Sequence, residues 1–110
     1  MDIPRIIVNL KLYREAMGSR ALEIARSAEK VYMETGILIA IAPNTIDAPA
    51  IAGRVKIPVL LQHVDPVGYG AHTGSITPEM LPEYGISGSI VNHSERKVPL
   101  YHICLLYTSD

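Results

Sequence analysis

Four apolar runs along the chain each stop abruptly at polar residues. Ile6-Ile7-Val8 gives way to Asn9-Leu10-Lys11. Residues 37–42 are uninterruptedly apolar up to Pro43. Pro58-Val59-Leu60-Leu61 passes into Gln62-His63. Ile86, Ile90 and Val91, broken by Gly85, Ser87 and Gly88, halt at Asn92-His93-Ser94-Glu95-Arg96. Runs of this length, rich in branched residues, predict strands buried on both faces in a parallel sheet. Between the first two runs, Ala21, Leu22, Ile24, Ala25, Ala28, Val31 and Tyr32 recur at three- and four-residue steps. That spacing predicts a helix from Ser19, as cap, to about Thr35, stopped by Gly36. Asp47-Ala48-Pro49 starts a short helix reaching about Arg54, and Thr77-Pro78-Glu79 opens a third, ended by Pro82 or Gly85. Residues 64–76 form a long loop carrying Gly68, Gly70 and Gly74. The alternation predicts an α/β fold: four βα steps on a parallel sheet covered by helices.

The polar residues that end these runs carry the candidate chemistry. In an extended chain Asn9 and Lys11, two apart, project from one face, while Val8 and Leu10 face the helices. Gln62 ends the third run; Asn92 and His93 end the fourth. All would lie at the carboxyl edge of one sheet, where ligands collect in α/β folds. If that sheet curls, Lys11 and His93 face one cavity: a fixed positive charge beside an imidazole able to donate to a carbonyl. Ser94 and Glu95 suit a helical first turn after His93. His93 and Ser94, being adjacent, diverge and make no nucleophile–base pair.

Composition narrows the function classes. The 110 residues, 48% hydrophobic and 19% charged with formal net charge −1, suit one modest domain. No basic excess points to nucleic acid, no run is long enough to span a bilayer, and no secretory signal pattern opens the chain. The expected compartment is the cytosol. The one cysteine, Cys104, offers no intrachain disulfide, and His63, His72, His93 and His102 lack metal-site spacing. Gly68, Gly70 and Gly74 neither follow a strand directly nor open a helix, unlike a dinucleotide fingerprint.

The pieces Val8-Asn9-Leu10-Lys11, Gln62-His63-Val64-Asp65-Pro66, Gly70-Ala71-His72-Thr73-Gly74, Thr77-Pro78-Glu79 and Asn92-His93-Ser94-Glu95-Arg96 stand in an order and spacing that resembles the N-terminal half of triosephosphate isomerases of the archaeal type. The resemblance covers roughly residues 4 to 98 and implies part of a (β/α)₈ barrel, with its site on the strand carboxyl face. It implies interconversion of dihydroxyacetone phosphate and glyceraldehyde 3-phosphate, with no cofactor and no metal. By it, Lys11 would hold the phosphate and the developing negative charge, and Asn9 would bond substrate oxygens. By the same resemblance His93, kept neutral by a helix N-terminus, would polarise the carbonyl, an effect for which triosephosphate isomerases are themselves a known example. Glu95, supported by Ser94, would orient Lys11. Thr73 and Gln62 would serve a subunit interface, Thr73 reaching a neighbour's site, in a homodimer or homotetramer. Position 75, acidic in many family members, is Ser here.

Two expectations concern extent. A (β/α)₈ barrel takes about 250 residues, and proton transfer between carbons needs a carboxylate base. Glu79, Glu83 and Glu95 do not stand where the family's base does. This polypeptide is therefore expected to be an inactive N-terminal half, residues 1–103. Residues 104–110, Cys104-Leu105-Leu106-Tyr107-Thr108-Ser109-Asp110, break the preceding pattern and resemble the translation of a sequencing adapter, so they are expected to be non-native. The competing reading is a stand-alone half-barrel acting as a binding or assembly module, its unpaired sheet edges inviting self-association.

Overall fold

The computed structural model describes residues 3–98. The first run forms β1 (Ile6–Asn9) and the second β2 (Ile39–Ala42), paired in parallel with Ile6 opposite Ile39 and Asn9 opposite Ala42. Between them α1 (Ser19–Thr35) makes the crossover. A short helix, α2 (Ala48–Ala52), leads to β3 (Leu60–Leu61), which pairs in parallel with β4 (Gly88–Ser89). The two small sheets meet through a single parallel bridge, Ile41 to Val59, with the Ile41 amide donating to the Pro58 carbonyl at 3.0 Å. Strand order in space thus follows strand order in sequence, with each βα unit laid beside the one before it.

β2 is the floor of the core. All four of its residues are buried, and Ile41 and Val59 are among the largest side chains fully removed from solvent. Ala21, Ala25 and Ala28 form the buried stripe of α1. With no side chain beyond Cβ, they let the helix axis lie close to the sheet. Leu22, Ile24 and Tyr32 pack at the margin of the core. Val31 does not: it is 43% exposed, on the shoulder of the stripe.

Several local expectations are corrected. Ser19 is the first helical residue rather than the cap; Gly18 holds the cap position at φ 59°, where glycine is unstrained. The Gly18 amide donates to Asp47 Oδ2 at 2.8 Å, so a side chain from the next βα unit satisfies it. Ile37 is exposed and outside its strand. The third and fourth strands shrink to two residues each. Gly88 and Ser89 pair weakly, having little side chain to pack. The third helix is a 3₁₀ helix, Pro78–Tyr84, because Pro82 inside it lacks the N–H that an α-helical turn needs. Thr77 does cap it, its hydroxyl accepting from the Glu79 amide at 3.3 Å, and Gly85 ends it at φ 72°. The helical first turn expected at Ser94 and Glu95 is not a helix, and the tail at 104–110 lies outside the described residues. Residues 94–96 form a turn, closed by the Arg96 amide donating to the His93 carbonyl at 2.8 Å. Burial on both faces holds for β2 but not β1, where Ile6 and Ile7 are 47% and 55% exposed. No described helix is long and apolar enough to cross a membrane.

Two substitutions test this packing. Ile41→Ala empties the centre of the core and should cost about 2–5 kcal/mol, read from denaturant midpoints. Gly36, in the left-handed conformation at φ 76° with open space around it, closes α1 by donating to the Tyr32 carbonyl. Gly36→Ala meets only backbone strain and should cost about 1 kcal/mol in the same measurement.

Candidate active site

At the carboxyl ends of the strands lies an open cleft of about 860 Å³. Asn9 and Lys11 border it after β1, Asn44 and Asp47 after β2, Gln62 and His63 after β3, and His93, Glu95 and Arg96 after β4. Four strand ends therefore contribute polar groups to one concavity, the arrangement that α/β folds use for ligands.

Lys11 reaches this cleft by a route that alternation does not describe. The strand ends at Asn9, and Lys11 adopts a left-handed backbone at φ 54°. Two side chains hold it there. Asn9 Oδ1 accepts from the Lys11 amide at 2.9 Å, a local turn that asparagine makes readily. Gln62 Nε2 donates to the Lys11 carbonyl at 2.9 Å and to the Ala42 carbonyl at 3.1 Å. Leu10, between them, turns into the core at 6% exposure. Lys11 Nζ lies 3.4 Å from Glu95 Oε2 and 6.0 Å from the centre of the Tyr13 ring.

This ion pair contributes little to stability. Its side chains are 36% and 59% exposed, and pairs so wetted are worth about 0–1 kcal/mol. A left-handed lysine costs about 1–2 kcal/mol, so this arrangement brings no net gain in folding energy. Strain of that kind, over-determined by its surroundings, gathers at functional sites. Asn92, at φ 60°, is the second such residue and stands beside His93; its Oδ1 accepts from the Val98 amide at 3.0 Å.

His93 is half-buried. Its Nδ1 accepts from the Glu95 amide at 3.0 Å. That bond assigns the proton of a neutral ring to Nε2, leaving it free to donate. Glu95 Oε1 also stands 3.7 Å from Nδ1, too far to accept a hydrogen bond from a proton there. The amide of the 93–96 turn, not a described helix terminus, sets this tautomer.

The other sequence-derived residues fall as follows. Ser94 is exposed and does not line the cleft. Thr73 is exposed in the loop after β3, also outside the cleft. Gln62, expected at a subunit interface, donates its amide to two carbonyls of its own chain. Sequence reasoning missed Asn44, whose Oδ1 accepts from the Ile46 and Asp47 amides, each at 3.0 Å, while its Nδ2 donates to Asp47 Oδ2 at 2.7 Å. It also missed the pair His63 Nε2 and Asp65 Oδ1, 2.9 Å apart. Asn44 directly after Pro43, three residues before Asp47, was a legible turn signal. No cluster of three or more His, Cys, Asp or Glu able to hold a metal occurs among the described residues.

Residues 4–102 match the family model described as triosephosphate isomerase. A triosephosphate isomerase of Archaeoglobus fulgidus is 49% identical over 98 residues, covering 89% of this chain and 44% of that protein. One from Methanobacterium bryantii is 46% identical over 102 residues, covering 93% of this chain and 45% of its own length. One from Metallosphaera sedula is 48% identical over 98 residues, covering 89% and 43% respectively. The chain thus spans less than half the length of each of these relatives. A match across nearly the whole of its described residues places it in the triosephosphate isomerase family.

Proposed function

We propose that the complete protein interconverts dihydroxyacetone phosphate and glyceraldehyde 3-phosphate, and that this chain supplies the electrostatic half of the site. The supporting observation is the convergence of Lys11, Asn9 and His93 on one cleft, with the Lys11 backbone held in a costly conformation by two side chains. On this reading the four βα steps are the first part of a (β/α)₈ barrel.

The roles follow from the atoms. The Lys11 ammonium attracts the substrate phosphate and offsets negative charge that develops on the substrate oxygen as a carbon proton leaves. Asn9 orients the substrate oxygens by hydrogen bonding. His93 Nε2–H donates to the carbonyl and passes a proton between neighbouring oxygens as the enediol forms. Glu95 keeps Lys11 over the cleft, and its amide keeps the His93 proton on Nε2. The base that removes the carbon proton is a carboxylate from a segment beyond this sequence. Residues 1–103 are the native part on this reading, with 104–110 foreign to it. No cofactor takes part. In the assembled protein, a cytosolic homodimer or homotetramer, Thr73 on the exposed loop meets a neighbouring subunit.

A chimera tests the proposal. Residues 1–98 of this chain, joined to the remaining length of the Archaeoglobus fulgidus relative, should turn over triose phosphates in a coupled isomerase assay. The 110-residue chain alone should stay at background. Lys11→Met should lower kcat/KM of the chimera by a factor of about 10²–10³, as loss of one preorganised charge-stabilising donor does. His93→Gln should act mainly on kcat. A folded chimera without turnover, or turnover by the 110-residue chain itself, contradicts the division of labour described.

A further inference from the structure

The loop after β3 leaves and returns at a single knot of bonds. The Asp65 amide donates to the Ile76 carbonyl at 2.8 Å, and the Ile76 amide donates to Asp65 Oδ2 at 2.9 Å. One residue thus clasps the other with both main chain and side chain. The second carboxylate oxygen, Oδ1, meets His63 Nε2 at 2.9 Å. His63 borders the cleft, so the knot connects the loop to the wall of the candidate site.

Between its ends the loop has little else to order it. Its internal bonds are short-range: Val67 amide to Asp65 carbonyl, His72 amide to Gly70 carbonyl, Ser75 amide to His72 carbonyl. Gly70 and Gly74 have positive φ, and residues 68–75 are all exposed. Closing such a segment costs conformational entropy that these few contacts do not offset.

We propose that the Asp65 carboxylate is a positioning residue: it anchors loop 65–76 to the β3 end of the cleft and so fixes where the loop presents Thr73. This stands independently of the isomerase reading, since it concerns how the loop is held and not what the cleft turns over. The groups facing the anchor are His63 from its own strand end and Arg96 from the turn after β4. Glu79 lies farther along, with its carboxylate beside Gly68. Burial would raise the Asp65 carboxyl, but the Ile76 amide, the His63 ring and the Arg96 charge outweigh it and hold it below the ordinary value of 3.8. A carboxylate depressed on folding contributes fully above its ordinary range and loses that contribution as the pH falls through the folded value. The anchor should therefore be intact at neutral pH and release in acid below that range.

Amide hydrogen exchange by NMR on the 110-residue chain tests this. The reference is the Ile41 amide, which donates to Pro58 within the core. In Asp65→Ala the protection of Ile76 should fall about tenfold or more, as loss of a charge-assisted bond predicts. Ile41 should keep its protection, and backbone order at 70–74 should drop. Asp65→Asn keeps an acceptor for Ile76 but no charge for His63 or Arg96, so it should fall between the two. Acidifying the unmodified chain should reproduce the alanine variant. Where Asp65→Ala does not fold, Asp65→Asn and the acid titration carry the test. Unchanged Ile76 protection and loop order, or loss of Ile76 and Ile41 protection together in every arm, would overturn the proposal.

Discussion

The side-chain amide of Gln62 determines the shape of the cleft. Its nitrogen donates at once to the carbonyls of Lys11 and Ala42. The Ala42 carbonyl, at the end of β2, already accepts from the Leu10 amide at 3.0 Å, while the Lys11 carbonyl lies beyond the end of β1, where the ladder offers no partner. A partly buried carbonyl without a partner costs free energy, so the position invites a donor. Gln62 follows β3 directly and supplies it. One group thereby draws three successive strand ends to a point and holds a lysine in a backbone conformation that lysine disfavours. The charge on Lys11 does not hold it there, because its contact with Glu95 is too wet to be worth much. Backbone hydrogen bonds set the geometry, and the charge is what that geometry presents.

Beneath the cleft, small residues make close packing possible. Ala21, Ala25 and Ala28 on α1 face a β2 whose own sequence alternates isoleucine with alanine. The helix can therefore lie close on the strand, and Ile41 fills the junction between the two small sheets. Asp47 then links the units, accepting from the Gly18 amide at the start of α1 and from Asn44 after β2. The first two strand ends are fixed from below by packing and from the side by this carboxylate. β3 and β4 are held more lightly, by two residue pairs. The less regular backbone of that half carries His63, Asp65 and the 93–96 turn.

Much of this was legible in the sequence, for identifiable reasons. Periodicity located α1 to within a residue at its start and matched its expected end near Thr35, where Gly36 closes it. The apolar run through β2 was legible because every one of its residues is buried. What failed was strand length. Apolarity at 58–61 and 86–91 reports burial, and burial does not require a paired ladder; Gly88 and Ser89 pair only briefly. The apparent cap at Ser19 misled because its hydroxyl chemistry is right but the turn needs positive φ, which Gly18 supplies. In the site, Asn9, Lys11, Gln62 and His93 were picked out as strand-end polar residues, and they do share one concavity. The reason offered for the first two, alternation along an extended strand, was not the operative one. A left-handed residue held by a side chain fifty-one positions away in sequence leaves no periodic trace. The anchoring of Asp65 to Ile76 was hidden for the same reason: it joins residues eleven apart across an irregular loop.

The claim beneath all of this is that Gln62 and Asn9 hold Lys11 left-handed, so that its ammonium faces the cleft shared with His93. The intraresidue amide-to-Hα nuclear Overhauser effect of Lys11 reports that conformation directly, because those protons approach most closely when φ is positive. In the unmodified chain it should be strong, and Gln62→Leu should weaken it while leaving the Ile41 amide unperturbed. A weak effect at Lys11 in the unmodified chain, or a strong one that survives Gln62→Leu, would contradict the account.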